Sequence, residues 1–294
     1  DEALAQIQAH HALVNLNGRI WVLDERSLAV DPHHGTAPKL ALSNRSDGKL
    51  IITRELNRTY PNANIADIAT AFFTHPDTTC YIGLSFSPSG NVGKRLNLWV
   101  GPTINPKKGA WEKIRNFLLC VLCAGEQTAF DYLLRFIAHA LQYPGQKPGV
   151  MIIMIGGQGT GKGTFGRIFR KIWRATFLQV HRMNEVTGNF NASLERSYIV
   201  FLDEAVFVGD RRSTESLKSV VTEAVLQINE KHQPSRQIES YHRLVAATNA
   251  QHFKHTDIDD RRDFVLKLSE ARKDDHDYWH ALNQEIEQGG VEAM

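Results

Sequence analysis

Residues 150–165, VMIIMIGGQGTGKGTF, constrain the fold more than any other stretch: an apolar run of strand length feeds a glycine-rich loop that ends in a lysine. A backbone that wraps oxyanions with its own N–H groups must reach conformations and approach distances that a Cβ blocks. That is the work available to Gly156, Gly159 and Gly161, with Gly157, Gln158 and Thr160 completing the loop. Lys162 supplies a point charge for outer phosphates, and a helix beginning near it turns its positive end to the same place. The pattern G-x-x-x-x-G-K-[ST] is met up to the lysine and departs at Gly163, where a hydroxyl usually ligates magnesium. Thr164 comes one residue late, a rotation of about 100° around a helix, so it is expected on a phosphate. Asp203 and Thr164 are the candidate residues on the metal side of the site.

Two further segments match this chemistry. Residues 198–204, YIVFLDE, form an apolar strand ending in two carboxylates. The first, Asp203, is suited to hold magnesium through its water shell, and the second, Glu204, to polarise an attacking water, which makes hydrolysis the expected reaction. Residues 244–249, LVAATN, are a second buried-type strand ending in an amide; Asn249 there either orients the water beside a γ-phosphate or makes an ordinary strand-end turn.

From Lys162 to Asn249 is 87 positions, a compact core. In this packing the chain resembles the superfamily 3 helicases, hexameric AAA+ motors of viruses, phages and mobile elements. Residues 156–164 match their motif A, 198–204 motif B and 244–249 motif C. The resemblance implies a P-loop NTPase core of AAA+-like α/β fold with a parallel sheet, and ATP and Mg2+ as cofactors. It also implies single-stranded DNA as partner and a homo-oligomeric ring, expected to be a hexamer. It places a hairpin between motifs B and C, where Lys231 and His232 resemble the tip pair of polyomavirus large T: an ammonium for a phosphate and an imidazole for a sugar or base. It puts the arginine that reaches a neighbour's γ-phosphate at Arg261 or Arg262, ahead of the apolar residues 264–268. A weaker resemblance, carried by residues 97–101 and 130–139, extends to phage and mobile-element primase-helicases, including the poxvirus type. In those a primase or polymerase domain precedes the helicase, and since this chain opens at Asp1 it is expected to be a fragment of such a protein. Two alternatives stay open: a small-molecule kinase, because Gly-Lys-Gly-Thr also occurs in adenylate-kinase-like loops, and a non-helicase AAA+ ATPase.

Composition limits where nucleic-acid contacts arise. The net charge is +2 and the pI about 8.4, so such contacts must come from local basic clusters that a ring would concentrate. Three cysteines make no disulfide framework, and Cys120 and Cys123 in an apolar run are expected as buried structural thiols. The histidine pairs 10–11 and 33–34 are not grouped in sequence with carboxylates, so no metal is expected there. No apolar stretch reaches the roughly 18 residues that span a membrane, and the expected location is the cytoplasm of a bacterium or phage-infected host cell. Asn17-Gly18 between apolar runs signals a type I′ hairpin, residues 65–73 have helical periodicity, and 46–48 and 87–90 look like turns. The expected organisation is an α+β accessory region over 1–105, a helical collar and linker over 106–148, the ATPase core over 149–269, and a charged helical tail over 270–294.

Overall fold

The computed structural model describes residues 2–29, 40–203, 211–230, 235–249 and 261–294, with the backbone alone at 211–215. The chain divides into two compact units, Asp1–Trp99 and Val100–Met294.

In the first unit, helix α1 (Glu2–Gln8) leads into the hairpin β1 (His11–Leu16) and β2 (Arg19–Asp24). Its turn has Asn17 at φ 51° and Gly18 at φ 81°, the left-handed pair that a type I′ turn requires. Strands β3 (Ala41–Asn44) and β4 (Cys80–Tyr81) complete a sheet of order β3-β2-β1-β4, in which only the β1–β4 pairing is parallel. Helices α2 (Arg45–Thr59) and α3 (Ile65–Ala71) close the core with Ile52, Leu56, Ala69 and Phe72 against Leu13 and Val22. The short parallel pair β5 (Leu84–Ser85) and β6 (Leu96–Asn97) follows. Residues 46–48, expected as a turn, lie inside α2. Asn44 caps that helix by accepting from the Asp47 N–H at 2.9 Å, and Gly48 is small because a Cβ there would stand 2.4 Å from Val22 Cγ2.

His11, unlike the expectation for the histidine pairs, is grouped with carboxylates. Folding brings Asp24 and Glu55 to the buried His11, so the three ligand atoms lie within 4.8 Å of one another. Sequence distance hid this grouping. Arg26 donates to both carboxylates, at 2.8 Å to Asp24 Oδ1 and 2.5 Å to Glu55 Oε1, so a guanidinium already supplies the positive charge and the cluster is an ion-pair network.

The second unit begins with α4 (Glu112–Asn116), which widens into a π-turn over Phe117–Leu122 and ends where Ala124 and Gly125 both take positive φ. Helix α5 (Gln127–Gln142) follows, burying Phe130, Leu133, Phe136, Ile137 and Ala140 at helical spacing. Cys123 is buried, and that burial pushes its thiol up to about 12. Cys120 is exposed, against expectation, because the buried positions Ile114, Phe117, Leu118, Val121 and Leu122 recur at helical spacing and position 120 falls off that face. The main elements that follow are β7 (Met151–Ile155), α6 (Lys162–Ile172), β8 (Phe177–Val180), α7 (Asn184–Thr187) and β9 (Ile199–Asp203). After them come α8 (Arg211–Thr222), the antiparallel pair β10 (Val225–Ile228) and β11 (Arg236–Glu239), β12 (Arg243–Thr248), β13 (Asp263–Lys267), α9 (His276–Glu285) and α10 (Val291–Ala293). The central sheet is parallel, in the order β13-β7-β12-β9-β8. Its inner strands are apolar on both faces, as a sheet covered on both sides demands.

Residues 143–149 read as a linker in sequence but are pinned. Arg243, 1% exposed, donates to the carbonyls of Tyr143 at 3.0 Å and Gln146 at 2.8 Å and lies 4.4 Å over the Tyr198 ring; Lys147 Nζ donates to Glu223 O and Ser240 Oγ at 2.5 Å each. Burial pulls the guanidinium down to about 10, which still leaves it charged at neutral pH. Replacing Arg243 with alanine strands these carbonyls, and a stability loss of about 3 kcal/mol is expected in urea unfolding, with lysine recovering part of it. An unchanged midpoint would show that water replaces the guanidinium.

Candidate functional site

In a parallel sheet the strands end together, so the loops after them share one edge. The register pairs Ile155 with Thr248 and Ala247 with Asp203, which brings the glycine loop, Asn249 and Asp203 to that edge from positions far apart in sequence. Gly159 and Gly161 take φ of 82° and 92°, and Gly161 is the residue from which α6 starts. Lys162, mostly buried, donates from Nζ to the carbonyls of Gly156 at 2.5 Å and Gly157 at 2.7 Å and to Asn249 Oδ1 at 3.2 Å. Gln158, Gly159, Thr160, Gly161, Lys162, Gly163, Thr164 and Asp203 line one cleft of about 470 Å³. Backbone N–H groups at a helix start, an ammonium and a carboxylate on one wall are the parts that hold an anion together with a divalent cation. Gly163 is exposed and a Cβ there meets nothing within 4 Å, so the missing hydroxyl does not reflect lack of room.

The sequence reading missed the group that orients Asp203. Gln179 on β8 donates from Nε2 to Asp203 Oδ2 at 2.7 Å, and Arg170 on α6 donates to Gln179 Oε1. Arginine is donor-only, so its contact settles which end of the amide faces the carboxylate. Arg170 in turn lies 5.1 Å over the Phe177 ring. The strand-alternate position of Gln179, beside a run that otherwise packs, was the available signal.

Arg261 and Arg262 stand at the other end of the sheet. They precede β13, whose first residue pairs with Met151 and whose last pairs with Ile155 beside the loop; Met151 N donates to Arg262 O at 2.9 Å. Five residues of strand separate these arginines from the loop edge, roughly 15 Å at 3.3 Å per residue. The structure therefore does not bring them into the cleft of this chain.

Strands β10 and β11 form an antiparallel pair between β9 and β12, with Val225 opposite Glu239 and Ile228 opposite Arg236. Lys231 and His232, in the connection, and Glu204, after β9, lie outside the described residues. The connection end of the pair is held by Arg236, whose Nε and Nη2 donate to Glu195 Oε1 and Oε2 at 2.5 and 2.6 Å and whose Nη2 reaches Glu230 at 2.7 Å. These carboxylates hold the guanidinium pKa above its ordinary value. The loop that carries Asn191 is tied to the same end: Asn191 Nδ2 donates to Gln227 O at 3.0 Å and Asn229 N to Asn191 Oδ1 at 2.9 Å. Next to Asn191, Phe190 is 62% exposed. A phenylalanine between asparagines in a polar stretch was the sequence clue to it.

Residues 270–294, expected as a charged helical tail, carry α9 and contribute to the cleft. Asp274, His276, Trp279 and Asn283 line the cleft, and Arg167 of α6 donates to Asn283 Oδ1.

The fold and site thus define an α/β protein whose parallel sheet gathers a glycine loop, an acid and an amide at one edge. Over residues 154–262 the chain matches the model of a family described as a family of unknown function (DUF5906). The DNA primase-polymerase of Nitratiruptor phage NrS-1 is 27% identical over 192 residues, which is 60% of this chain and 24% of that protein. The chain spans about a quarter of the length of this curated relative. Two structures of the NrS-1 C-terminal region, an apo structure and an A-form apo structure, align with 98% of this chain and 67% of theirs. Both have a TM-score of 0.71, at 19% and 20% identity, which shows a shared fold. Among the described residues no helix is long and apolar enough to cross a membrane.

Proposed function

We propose that the chain is the ATP-driven helicase part, of superfamily 3 type, of a primase-helicase in phage or mobile-element DNA replication, working as a ring on single-stranded DNA. The observation that carries the reading is the contact of Lys162 Nζ with Asn249 Oδ1 in the cleft that Asp203 also lines, because it unites the three segments that nucleotide hydrolysis needs. The carbonyls of Gly156 and Gly157 are the acceptors a phosphate would replace on Lys162. Asp203, held by Gln179 through one oxygen, keeps the other for the hydration shell of magnesium. Thr164 meets a phosphate, and Glu204, directly after Asp203, polarises the water. Similarity to a phage DNA primase-polymerase supports a role in replication and a priming domain upstream. The deciding test is ATP turnover with and without single-stranded DNA, alongside the mass of the assembly in solution; phosphate transfer to AMP would favour a kinase.

Strand contact is assigned to Lys231 and His232, with Phe190 next to Asn191 at the connection end of the β10–β11 pair. An exposed ring takes a base by stacking, worth about 1–3 kcal/mol per base, whereas an ammonium takes a phosphate. The two substitutions are therefore expected to differ in salt response. Lys231→Ala weakens single-strand binding and lowers the slope of log K against log salt by about one, while Phe190→Ala weakens binding roughly tenfold and leaves the slope unchanged. Wild-type affinity in both variants would remove this hairpin from the strand path.

A further inference from the structure

We propose that residues 268–283 form the nucleoside-binding wall of the cleft, with His276 and Trp279 offering rings to the base and Asp274 a carboxylate to the ribose. This rests on the nucleotide reading above and extends it from the phosphates to the rest of the ligand.

The segment runs along the glycine loop. A Cβ on Gly156 would stand 3.0 Å from Leu268 Cβ, one on Gly157 2.9 Å from Glu270 Oε1, and one on Gly161 2.7 Å from both Trp279 Cη2 and Phe117 Cε2. At Gly157 and Gly161 this segment stands on the outer side of the loop, where a Cβ would meet it, in addition to what the φ of Gly161 requires. Once phosphates and metal are given to residues 158–164 and Asp203, the described lining that remains is Arg167, Asp274, His276, Trp279 and Asn283. Four of these five belong to the segment, so a ligand leaving the loop at its non-metal end meets this wall. The cleft, about 470 Å³, falls within the roughly 300–1,000 Å³ of small-molecule sites and has room for more than a phosphate chain.

The wall is built firmly. The Trp279 indole N–H donates to Arg272 O at 2.8 Å, and its ring stands edge-on to Phe117 with centroids 5.8 Å apart. Asp275 caps α9 by accepting from the Tyr278 N–H at 3.1 Å, and Arg167 on α6 holds Asn283 on α9. His276 is exposed and Trp279 half-buried, and both line the cleft. A purine is a planar π-system with polar edges and gains from ring contact. The Asn283 amide, whose oxygen faces Arg167, keeps its NH2 for an acceptor on the base edge.

The test compares two ligands that share the phosphate chain and differ in the nucleoside. ATP and inorganic tripolyphosphate, each with magnesium, are titrated calorimetrically into the wild-type protein and into His276→Ala, Trp279→Ala and Trp279→Phe. The wild type is expected to prefer ATP. His276→Ala and Trp279→Ala lose roughly tenfold in ATP affinity, the scale of one ring–base stack, with tripolyphosphate unchanged, and Trp279→Phe keeps most of the preference. Equal losses for both ligands would show that the segment only props the loop and would overturn the proposal, as would unchanged ATP affinity in His276→Ala together with a folded Trp279→Ala. A wild type that binds neither ligand overturns the nucleotide site itself, a failure distinct from loss of the preference alone.

Discussion

Lys162→Ala and Glu204→Gln are each expected to reduce ATP turnover at least about 100-fold, for reasons that binding measurements separate. Removing the Lys162 ammonium takes away the charge for the outer phosphates and also leaves Asn249 Oδ1 and the Gly156 and Gly157 carbonyls without their donor. Nucleotide binding therefore weakens along with turnover. Glu204→Gln keeps the shape and removes the base, whose contribution is about 10²–10⁴ in rate, so this variant binds ATP and accumulates the loaded state. Filter-binding of labelled ATP beside single-turnover hydrolysis reads both quantities. Wild-type turnover in Glu204→Gln would remove that residue from the role of base. A Lys162→Ala protein with undiminished ATP affinity would mean that the glycine loop is not where the phosphates sit.

The second large effect concerns Arg261 and Arg262. Their place at the start of β13, the far end of the strand from the loop edge, keeps them out of their own cleft, so a role in catalysis requires a neighbouring subunit. A guanidinium supplied across an interface is worth about 10³–10⁵ in rate. Replacing the residue that acts this way is expected to lower turnover by that scale while single-strand binding persists. Mixing that arginine variant with Lys162→Ala restores activity, because each supplies the half-site the other lacks; random pairing in a head-to-tail ring completes about a quarter of the interfaces. Verified mixed rings with no recovery would place the arginine within its own subunit, and a stable monomer with full DNA-stimulated activity would rule out the ring.

Much of the site was legible because its chemistry is local. A loop that binds through its own backbone must advertise itself in glycines, so residues 156–162 and their helix are readable without knowing any partner. Strands buried on both faces are runs of apolar residues, so β7, β9 and β12 and the polar residues after them were visible too. Turn chemistry worked where one dipeptide decides the geometry, as at Asn17-Gly18, and failed at residues 46–48, where Asn44 caps a helix and Gly48 is small for a packing contact with Val22.

What depended on contacts between distant residues was not legible. The grouping of His11 with Asp24 and Glu55, the hold of Arg243 on residues 143–146, the line from Arg170 through Gln179 to Asp203, and the packing of residues 268–283 along the loop leave no periodic trace in the chain. The sequence by itself determined the glycine loop and the apolar strands beside it, because backbone conformation and burial period are written residue by residue, while the parallel sheet was implied by the family resemblance. Only the tertiary structure decided which side chains meet at the loop edge, because that follows from strand order and register, which a local pattern does not encode.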